Sequence, residues 1–316
     1  MKKYLYWTGI LLSVALASYF VYFTIGALRQ YGANIVLTVD LVIAMVVAAF
    51  LYAMCIPVSG WAWHILLRGM GVTWKPSTLS AIMGITQLAK YVPGNIGQHV
   101  GRTALSLAKG MSVGAYTGSV LIETALAILA GLFIGVLFSL FSPFSISSII
   151  FEYRAILVVV AIILAVCVLA LPWIFIKVKN LVRCRSFFAK WIKSELIMPG
   201  FNHIGLAFIG YCINFVLIGF GLWLISLVVN DNVKIDFFYL TAVFALSWLL
   251  GFITPGAPAG IGVREGIMVL FLSGLAAADI VLLMVAAMRI ATIAGDGLVF
   301  VISAIYIRLN PFGIEK

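Results

Sequence analysis

The sequence predicts an all-α polytopic membrane protein with about six transmembrane helices and two re-entrant helical hairpins related as inverted repeats. The composition points to this class, because 64% of the residues are hydrophobic and only 9% are charged. Several apolar runs also reach the ~20 residues that crossing a bilayer requires. The most polar long stretch, residues 177–202, is too short for a soluble domain. We therefore treat residues 1–316 as a single integral membrane domain.

One motif occurs twice with identical spacing. Pro-x-x-Ile-Gly-x-x-x-Gly covers residues 93–101 and returns at residues 258–266, which is an internal repeat. Each copy is a Gly/Pro-rich break that follows an apolar segment too short for a comfortable span. Such breaks are tolerated at membrane depth when protein or a water-filled cavity covers them. We expect two re-entrant hairpins, at about residues 76–110 and 236–275.

The apolar runs define the spans in chain order. The first follows Lys2 and Lys3, and we expect it to be retained because it stays apolar beyond an Ala-Leu-Ala triplet that resembles a signal-peptidase site. The second span is expected to kink at Pro57. The six predicted spans are residues 4–28, 41–67, 113–141, about 156–176, 204–229 and 280–307.

The distribution of basic residues gives the expected orientation. Three spans separate the two hairpins, and an odd number makes them enter from opposite faces, hence inverted repeats. This layout places thirteen Lys and Arg residues in cytoplasmic loops and only Arg29, Arg154 and Lys234 outside, as the positive-inside rule requires. Both termini are then cytoplasmic, in the plasma (inner) membrane. The basic, aromatic-rich segment 177–195 indicates an interfacial helix on anionic lipid, so no nucleic acid partner is needed.

Charged residues inside the membrane region are the main functional signal. A charge at the centre of a spanning helix costs ~2.5 to 3.5 kcal/mol, which makes each one a functional-site hypothesis. The alternative is that these ions only pair with one another to hold the hairpins in place. We predict that four of them balance charge or move protons: Glu123, Glu265, Arg289 and Asp296.

The two breaks carry the predicted binding site. Lys90 and Arg102 flank the first break without an obvious acidic neighbour, which favours binding of an anionic headgroup. Turn glycines admit a ligand near the backbone or permit positive φ, with close helix packing as the alternative. His99 either relays protons or binds phosphate, or is a local hydrogen-bonding residue. The predicted substrate-binding residues are Lys90, Tyr91, Pro93, Gly94, Asn95, Gly97, Arg102, Gly260, Gly262 and Arg264.

No pattern of catalysis or metal binding occurs in the sequence. It contains no His-Glu-x-x-His, Walker loop or nucleophile elbow, so we predict no catalytic residue, no metal and no cofactor. The four cysteines are scattered, without disulfide-framework or metal-ligand spacing. We interpret them as packing residues.

The motif residues resemble a known family. Tyr91 to Gly97 followed by Arg102, together with Thr254-Pro255-Gly256 and the run from Gly260 to Gly266, is similar to the lysylphosphatidylglycerol synthase transmembrane-region family. The resemblance extends from span one to span six and implies lipid translocation or envelope-glycolipid work. The second turn is longer than the compact Pro-Gly-Gly-x-Gly-x-x-Glu of that family.

The chain ends without an aminoacyl-transfer domain, so we expect a stand-alone member that does not itself make lysyl-lipid. We predict a flippase, not driven by ATP, for an anionic phospholipid or a polyprenyl-phosphate-linked glycolipid in envelope biogenesis. Lys90 and Arg102 would hold phosphate from the cytoplasmic side and Arg264 from the outer side of a polar midplane pocket. A homo-oligomer is left open. The alternative is a non-transporting membrane enzyme or accessory protein of envelope polysaccharide or lipid assembly.

Overall fold

The computed structural model describes residues 38–91, 97–142, 198–229, 234–254, 258–260 and 262–310, with scattered helical positions between 159 and 170. These parts of the chain are helical and contain no strand. The helices are α1 Val39–Gly69, α2 Pro76–Thr86, α3 Gly97–Ala108, α4 Val113–Phe141, α5 Phe201–Val229, α6 Phe237–Ile253, α7 Val263–Leu272 and α8 Ala278–Leu309. Two 3-10 segments, Gln87–Tyr91 and Pro258–Gly260, lie between the short helices.

Polar caps start three of these helices. The Thr38 hydroxyl accepts a hydrogen bond from the N–H of Leu41 at 3.2 Å before α1. The Ser112 hydroxyl accepts one from the N–H of Ala115 before α4. The Asp236 carboxylate accepts the N–H of Tyr239 at 3.1 Å before α6. Each side chain satisfies a backbone donor that the first helical turn leaves unpaired. Helix α1 continues through Pro57, the position at which the sequence predicts a kink.

Four helices, α1, α4, α5 and α8, are long and apolar enough to cross a membrane. They correspond to predicted spans two, three, five and six, with ends within three residues of the predicted ones. The protein is therefore a multi-pass membrane protein. Predicted span one and the segment 177–195 lie outside the described residues, as does most of span four, so the total of six spans stays a prediction.

The element order repeats. A long helix, a short helix, a 3-10 segment, a short helix and a long helix run from α1 to α4, and the same order runs from α5 to α8. Each predicted hairpin range thus contains two short helices and a 3-10 segment, and their re-entry into the membrane stays a prediction. The helices after the hairpins begin at Val113 and Ala278, each 16 residues after the motif glycine at 97 or 262. The opposite orientation of the two halves stays a prediction.

The long helices form one packed bundle. Helix α1 packs against α5, α8 and α2, while α4 packs against α5 and α6. The two 3-10 segments, one from each half, contact each other. Large apolar side chains point outward, such as Val46, Leu121 and Val301, each more than half exposed. Five charged side chains of the described residues are buried instead, as expected of a protein surrounded by lipid: Arg102, Arg264, Glu265, Arg289 and Asp296.

Candidate functional site

A buried ion pair ties the first hairpin to the helix after it. Arg102 on α3, 5% exposed, donates from both terminal nitrogens to the Glu123 carboxylate on α4, at 3.0 and 2.7 Å. Its guanidinium lies 4.2 Å from the ring centroid of Trp63 on α1. The Trp63 indole in turn donates to the Ser119 hydroxyl at 2.9 Å. This forked arrangement is the strong geometry of Arg–carboxylate pairs, and it joins three helices.

A second buried network converges on Asp296 of α8, which is 1% exposed. Lys90 Nζ lies 2.7 Å from one carboxylate oxygen and 2.8 Å from the other. Gln87 donates to the carboxylate at 3.1 Å and the Tyr91 hydroxyl donates at 2.5 Å. Lys90 also donates to the Tyr52 hydroxyl on α1 at 2.9 Å. The 3-10 segment of the first hairpin is thus held to α8 by a compensated ion pair and to α1 by a hydrogen bond.

The second hairpin repeats the brace with the charges exchanged. Here Glu265 on α7 pairs with Arg289 on α8 at 3.4 Å, whereas the first hairpin supplies the base and its following helix the acid. The Glu265 carboxylate also accepts the N–H of Gly262 at 2.7 Å, which caps α7. Glu123 and Arg289 each pair within their own half.

Arg264 differs from the other buried cations. It is 6% exposed, and its guanidinium lies 4.1 Å from the ring centroid of Phe244 on α6. Within the described part of the chain, no carboxylate pairs with Arg264, and its Nε has no hydrogen-bond acceptor. Removing a charge from water without a counter-charge is costly. This position therefore carries an excess of buried positive charge.

The expectation that Lys90 and Arg102 lack an acidic partner is wrong. Asp296 follows Lys90 by 206 residues, and Glu123 follows Arg102 by 21. Neither acid is on the same helix as its base, so no local spacing rule could pair them. Arg289 and Asp296 are both buried on α8. Whether any of these residues touches substrate stays a prediction.

The motif glycines serve two different purposes, close helix packing at one position and positive φ at two others. Gly97 begins α3, and a Cβ there would collide with the Ala89 carbonyl oxygen, so this position serves close packing. Gly260 and Gly262 have φ of 71° and 85°, in the region that glycine adopts without strain. Pro93, Gly94 and Asn95 lie outside the described residues.

A cavity of about 210 Å³ lies between the first hairpin and helices α1, α4, α5 and α6. Its lining includes polar side chains as well as apolar ones, among them Ile56, Phe215 and Trp248. Arg102 and Glu123 line it directly, and Tyr52 and Gln87 connect it to the Asp296 network. A space of this size exceeds what one water needs.

Four buried polar atoms of the cavity lining have no hydrogen-bond partner among the described residues. They are His99 Nδ1, Arg102 Nε, Tyr211 Oη and Asn214 Oδ1. Buried polar atoms are normally paired, and these four are shielded from the open space of the cavity, so the arrangement of the described helices leaves them without a partner. No three His, Cys, Asp or Glu side chains lie together as a metal site in the described ranges.

Several lining residues were not predicted from the sequence. Asn214 interrupts the apolar helix α5, and the rule that polar residues within spans are functional could have found it. Tyr52, Tyr211 and Trp248 carry no such signal, because aromatic residues are common in any membrane helix. Only helix packing places them at this cavity.

Comparison with known proteins supports the family assignment. A search of curated proteins finds no match. The family described as "Lysylphosphatidylglycerol synthase TM region" matches residues 10–299, which includes both hairpins, both ion-pair braces and the cavity. The chain therefore belongs to the lysylphosphatidylglycerol synthase transmembrane-region family.

Proposed function

We propose that this protein binds an anionic phospholipid or a polyprenyl-phosphate-linked glycolipid and moves its headgroup across the plasma (inner) membrane without ATP. The observation that carries the proposal is the cavity between the first hairpin and the long helices, which both polar and apolar side chains line. An amphipathic ligand needs both kinds of side chain, because its headgroup must be hydrogen-bonded where its chain is buried.

Arg264 is the proposed phosphate contact. A phosphate would offset the buried charge of a guanidinium that has no carboxylate partner in the described residues, and Arg binds phosphate through a forked pair of donors. Arg264 stacks on Phe244, and Phe244 lies one helical turn from Trp248, whose side chain lines the cavity. Arg264 itself does not line the cavity, so the proposal puts the phosphate beside the cavity and not inside it.

Lys90 and Arg102 take a different part in this proposal. Each already holds a carboxylate, so either residue reaches a phosphate only by releasing Asp296 or Glu123. If the substrate phosphate takes the place of Asp296 or Glu123, the basic residue remains paired with a negative charge. The four residues proposed to balance charge, Glu123, Glu265, Arg289 and Asp296, are then the alternative partners of the basic residues.

The test is headgroup movement in reconstituted vesicles. Phosphatidylcholine vesicles would carry a trace of fluorescently head-labelled phosphatidylglycerol or polyprenyl-phosphate-linked glucose, and an impermeant quencher would report labels that reach the outer leaflet. We expect protein-dependent movement, with a rate about tenfold lower for Arg264→Gln, because a charged hydrogen bond contributes roughly 1.5–3 kcal/mol. Arg68→Gln is the matched control, since Arg68 is exposed at the end of α1.

Two results would contradict the proposal. Unchanged movement in Arg264→Gln would remove Arg264 from the site. An absence of movement for both lipids, with protein shown to retain one of them, would favour the accessory or enzymatic alternative over transport.

A further inference from the structure

Three largely buried basic residues surround the junction at which the two 3-10 segments contact each other. Lys90 Nζ and the Arg289 guanidinium lie 5.4 and 5.8 Å from the ring centroid of Tyr91, in the first segment. In the second segment, a Cβ on Gly260 would lie 3.6 Å from the Cβ of Arg264, so Arg264 adjoins the same junction. Arg264 and Arg289 are also close enough for their like charges to interact.

The carboxylates at this junction compensate all but one of the three positive charges. Asp296 pairs with Lys90 at 2.7 Å, and Glu265 pairs with Arg289 at 3.4 Å. Arg264 is 6% exposed and has no carboxylate partner in the described residues. Three basic residues and two acids therefore leave one positive charge in excess.

The chain next to the breaks does not change this balance. Residues 92–96, 255–257 and 261 adjoin the two 3-10 segments in the sequence and contain no charged residue. The ion pair of Arg102 and Glu123 is neutral as a whole. A charge withdrawn from water without a counter-charge is costly, and a bound ion of opposite sign lowers that cost. The structure therefore favours a ligand that brings one negative charge to the junction.

A single charge distinguishes one kind of phosphate from the others. A phosphodiester carries one negative charge at neutral pH. A phosphomonoester carries about 1.5 to 2, because its second pKa is about 6, and a diphosphate also carries more than one. A phosphodiester would neutralise the junction, whereas a monoester or a diphosphate would leave negative charge in excess in a buried place.

We propose that the junction of the two 3-10 segments is a binding site for a phosphodiester headgroup with a single negative charge, held by Arg264. The inference rests on the proposed function and narrows its lipids to phosphodiesters, which include both phosphatidylglycerol and a sugar joined to a polyprenyl chain through one phosphate. It excludes monoester and diphosphate lipids. Gln87 and Tyr52 bond Asp296 and Lys90 and also line the cavity, so the site adjoins the cavity of the proposed function.

The experiment measures lipid retention on both sides of the second phosphate pKa. Protein in phosphatidylcholine nanodiscs would be offered phosphatidylglycerol, phosphatidic acid and diacylglycerol diphosphate, all with the same acyl chains. A second series would use polyprenyl-phosphate-linked and polyprenyl-diphosphate-linked glucose, which separates the two sources of the diester. Lipids that stay with the purified protein would be counted by mass spectrometry relative to the bulk disc, at about pH 5 and at about pH 8.

We expect the wild-type protein to enrich phosphatidylglycerol and polyprenyl-phosphate-linked glucose at both pH values, and the diphosphate lipids at neither. Phosphatidic acid carries about one charge at the lower pH and about two at the higher pH. Its enrichment should therefore fall about tenfold between them, because the second charge has no counter-charge at the junction. Phosphatidylglycerol keeps its charge across this range and controls for titration of the protein.

Three variants test the charge count. Arg264→Gln removes the excess charge, so enrichment of phosphatidylglycerol should fall about tenfold. Arg264→Lys keeps the charge, so the preference for the diester at the higher pH should remain. Glu265→Gln adds one positive charge and keeps an oxygen that accepts the N–H of Gly262, so phosphatidic acid should now be retained at the higher pH. Arg68→Gln, at the exposed end of α1, is the control and should change none of these values.

Three outcomes would overturn the single-charge site: equal retention of phosphatidylglycerol and phosphatidic acid at the higher pH, enrichment of the diphosphate lipids, or a preference for the diester that survives in Arg264→Gln. The comparison of two pH values on the wild-type protein needs no variant, so it decides even if a variant fails to fold.

Failure of transport is a separate result. If vesicles show no headgroup movement while the wild-type protein retains diesters selectively and Arg264→Gln does not, the transport proposal falls and the binding site stands. If headgroups move but retention does not depend on the charge of the phosphate, transport stands and the single-charge site falls.

Discussion

At the scale of single residues, the pairing of buried charges determines what each position can do. Arg102 and Glu123 satisfy each other through two hydrogen bonds, so neither can be altered without leaving the other charge buried. Arg264 has no such partner in the described residues, so its removal should spare the fold. The same residue type is therefore structural at one hairpin and available for a ligand at the other.

Arg102→Ala should destabilise the protein by about 3–5 kcal/mol, because Glu123 is left as an uncompensated buried charge. The loss of stacking on Trp63 adds to this effect. Thermal unfolding in detergent, followed by the loss of monodisperse protein, measures it. The double variant Arg102→Ala/Glu123→Ala should regain part of the lost stability.

If Arg102→Ala keeps wild-type stability and loses lipid binding, the predicted structural role of Arg102 is contradicted. Arg102 would then act mainly on the substrate, as the sequence pattern suggested, and its bond to Glu123 would be incidental.

At the scale of elements, α8 packs closely against α1 at Gly295. A Cβ on Gly295 would lie 2.7 Å from the Ala49 carbonyl oxygen and 2.9 Å from the Tyr52 ring, whereas a Cβ on Gly297 meets nothing within 4 Å. The contact surrounds Asp296, whose carboxylate is the centre of the buried network. Close approach of the two helices at Gly295 is consistent with Lys90 bonding both Tyr52 of α1 and Asp296 of α8.

Gly295→Ala should lower stability by about 1–3 kcal/mol, because backbone atoms of α1 must move to admit the methyl group. Gly297→Ala is the control two residues away in the same helix. Its stability should stay level or rise, since alanine favours helix by ~1 kcal/mol over glycine. Unfolding midpoints of both variants in the same detergent give the comparison, and equal values would mean that α8 is free to shift.

At the scale of the whole molecule, the two hairpins meet through their 3-10 segments. If substrate passes between them, movement requires the segments to separate on each face in turn, as in alternating access. A cysteine pair at Leu88 and Pro258, in a background whose four natural cysteines are changed to Ala, would join the segments through a bifunctional reagent. Joining should stop headgroup movement in vesicles and leave lipid retention nearly unchanged. Undiminished movement after complete cross-linking would exclude this mechanism.

The orientation of the molecule is testable in the same background. A cysteine at Ser145 or Asn232 should react with an impermeant thiol reagent from outside, and one at Lys179 only after the membrane is opened. This result follows from the charge bias of the loops and from the odd number of spans between the hairpins. Equal labelling of all three positions would contradict the inverted repeat.

The positions of the helices were largely determined by the sequence. Apolar runs of bilayer length, polar caps and Gly/Pro breaks are local signals, and α1, α4, α5 and α8 begin and end within three residues of the predicted spans. The breaks at both hairpins were predicted for the same reason. Local chemistry decides where a helix must stop, because each end leaves backbone groups that nearby residues have to satisfy.

The partners of the charges were decided only by the tertiary structure. The sequence identified Lys90, Arg102 and Arg264 as buried cations but assigned the first two no acid, and the structure pairs them while leaving Arg264 without a carboxylate in the described residues. Tyr211 and Asn214 are identified as cavity residues only because the structure shows that α5 and α3 line the same cavity. Pairing depends on which distant helices pack together, and helices of similar apolar composition carry little local information about their neighbours.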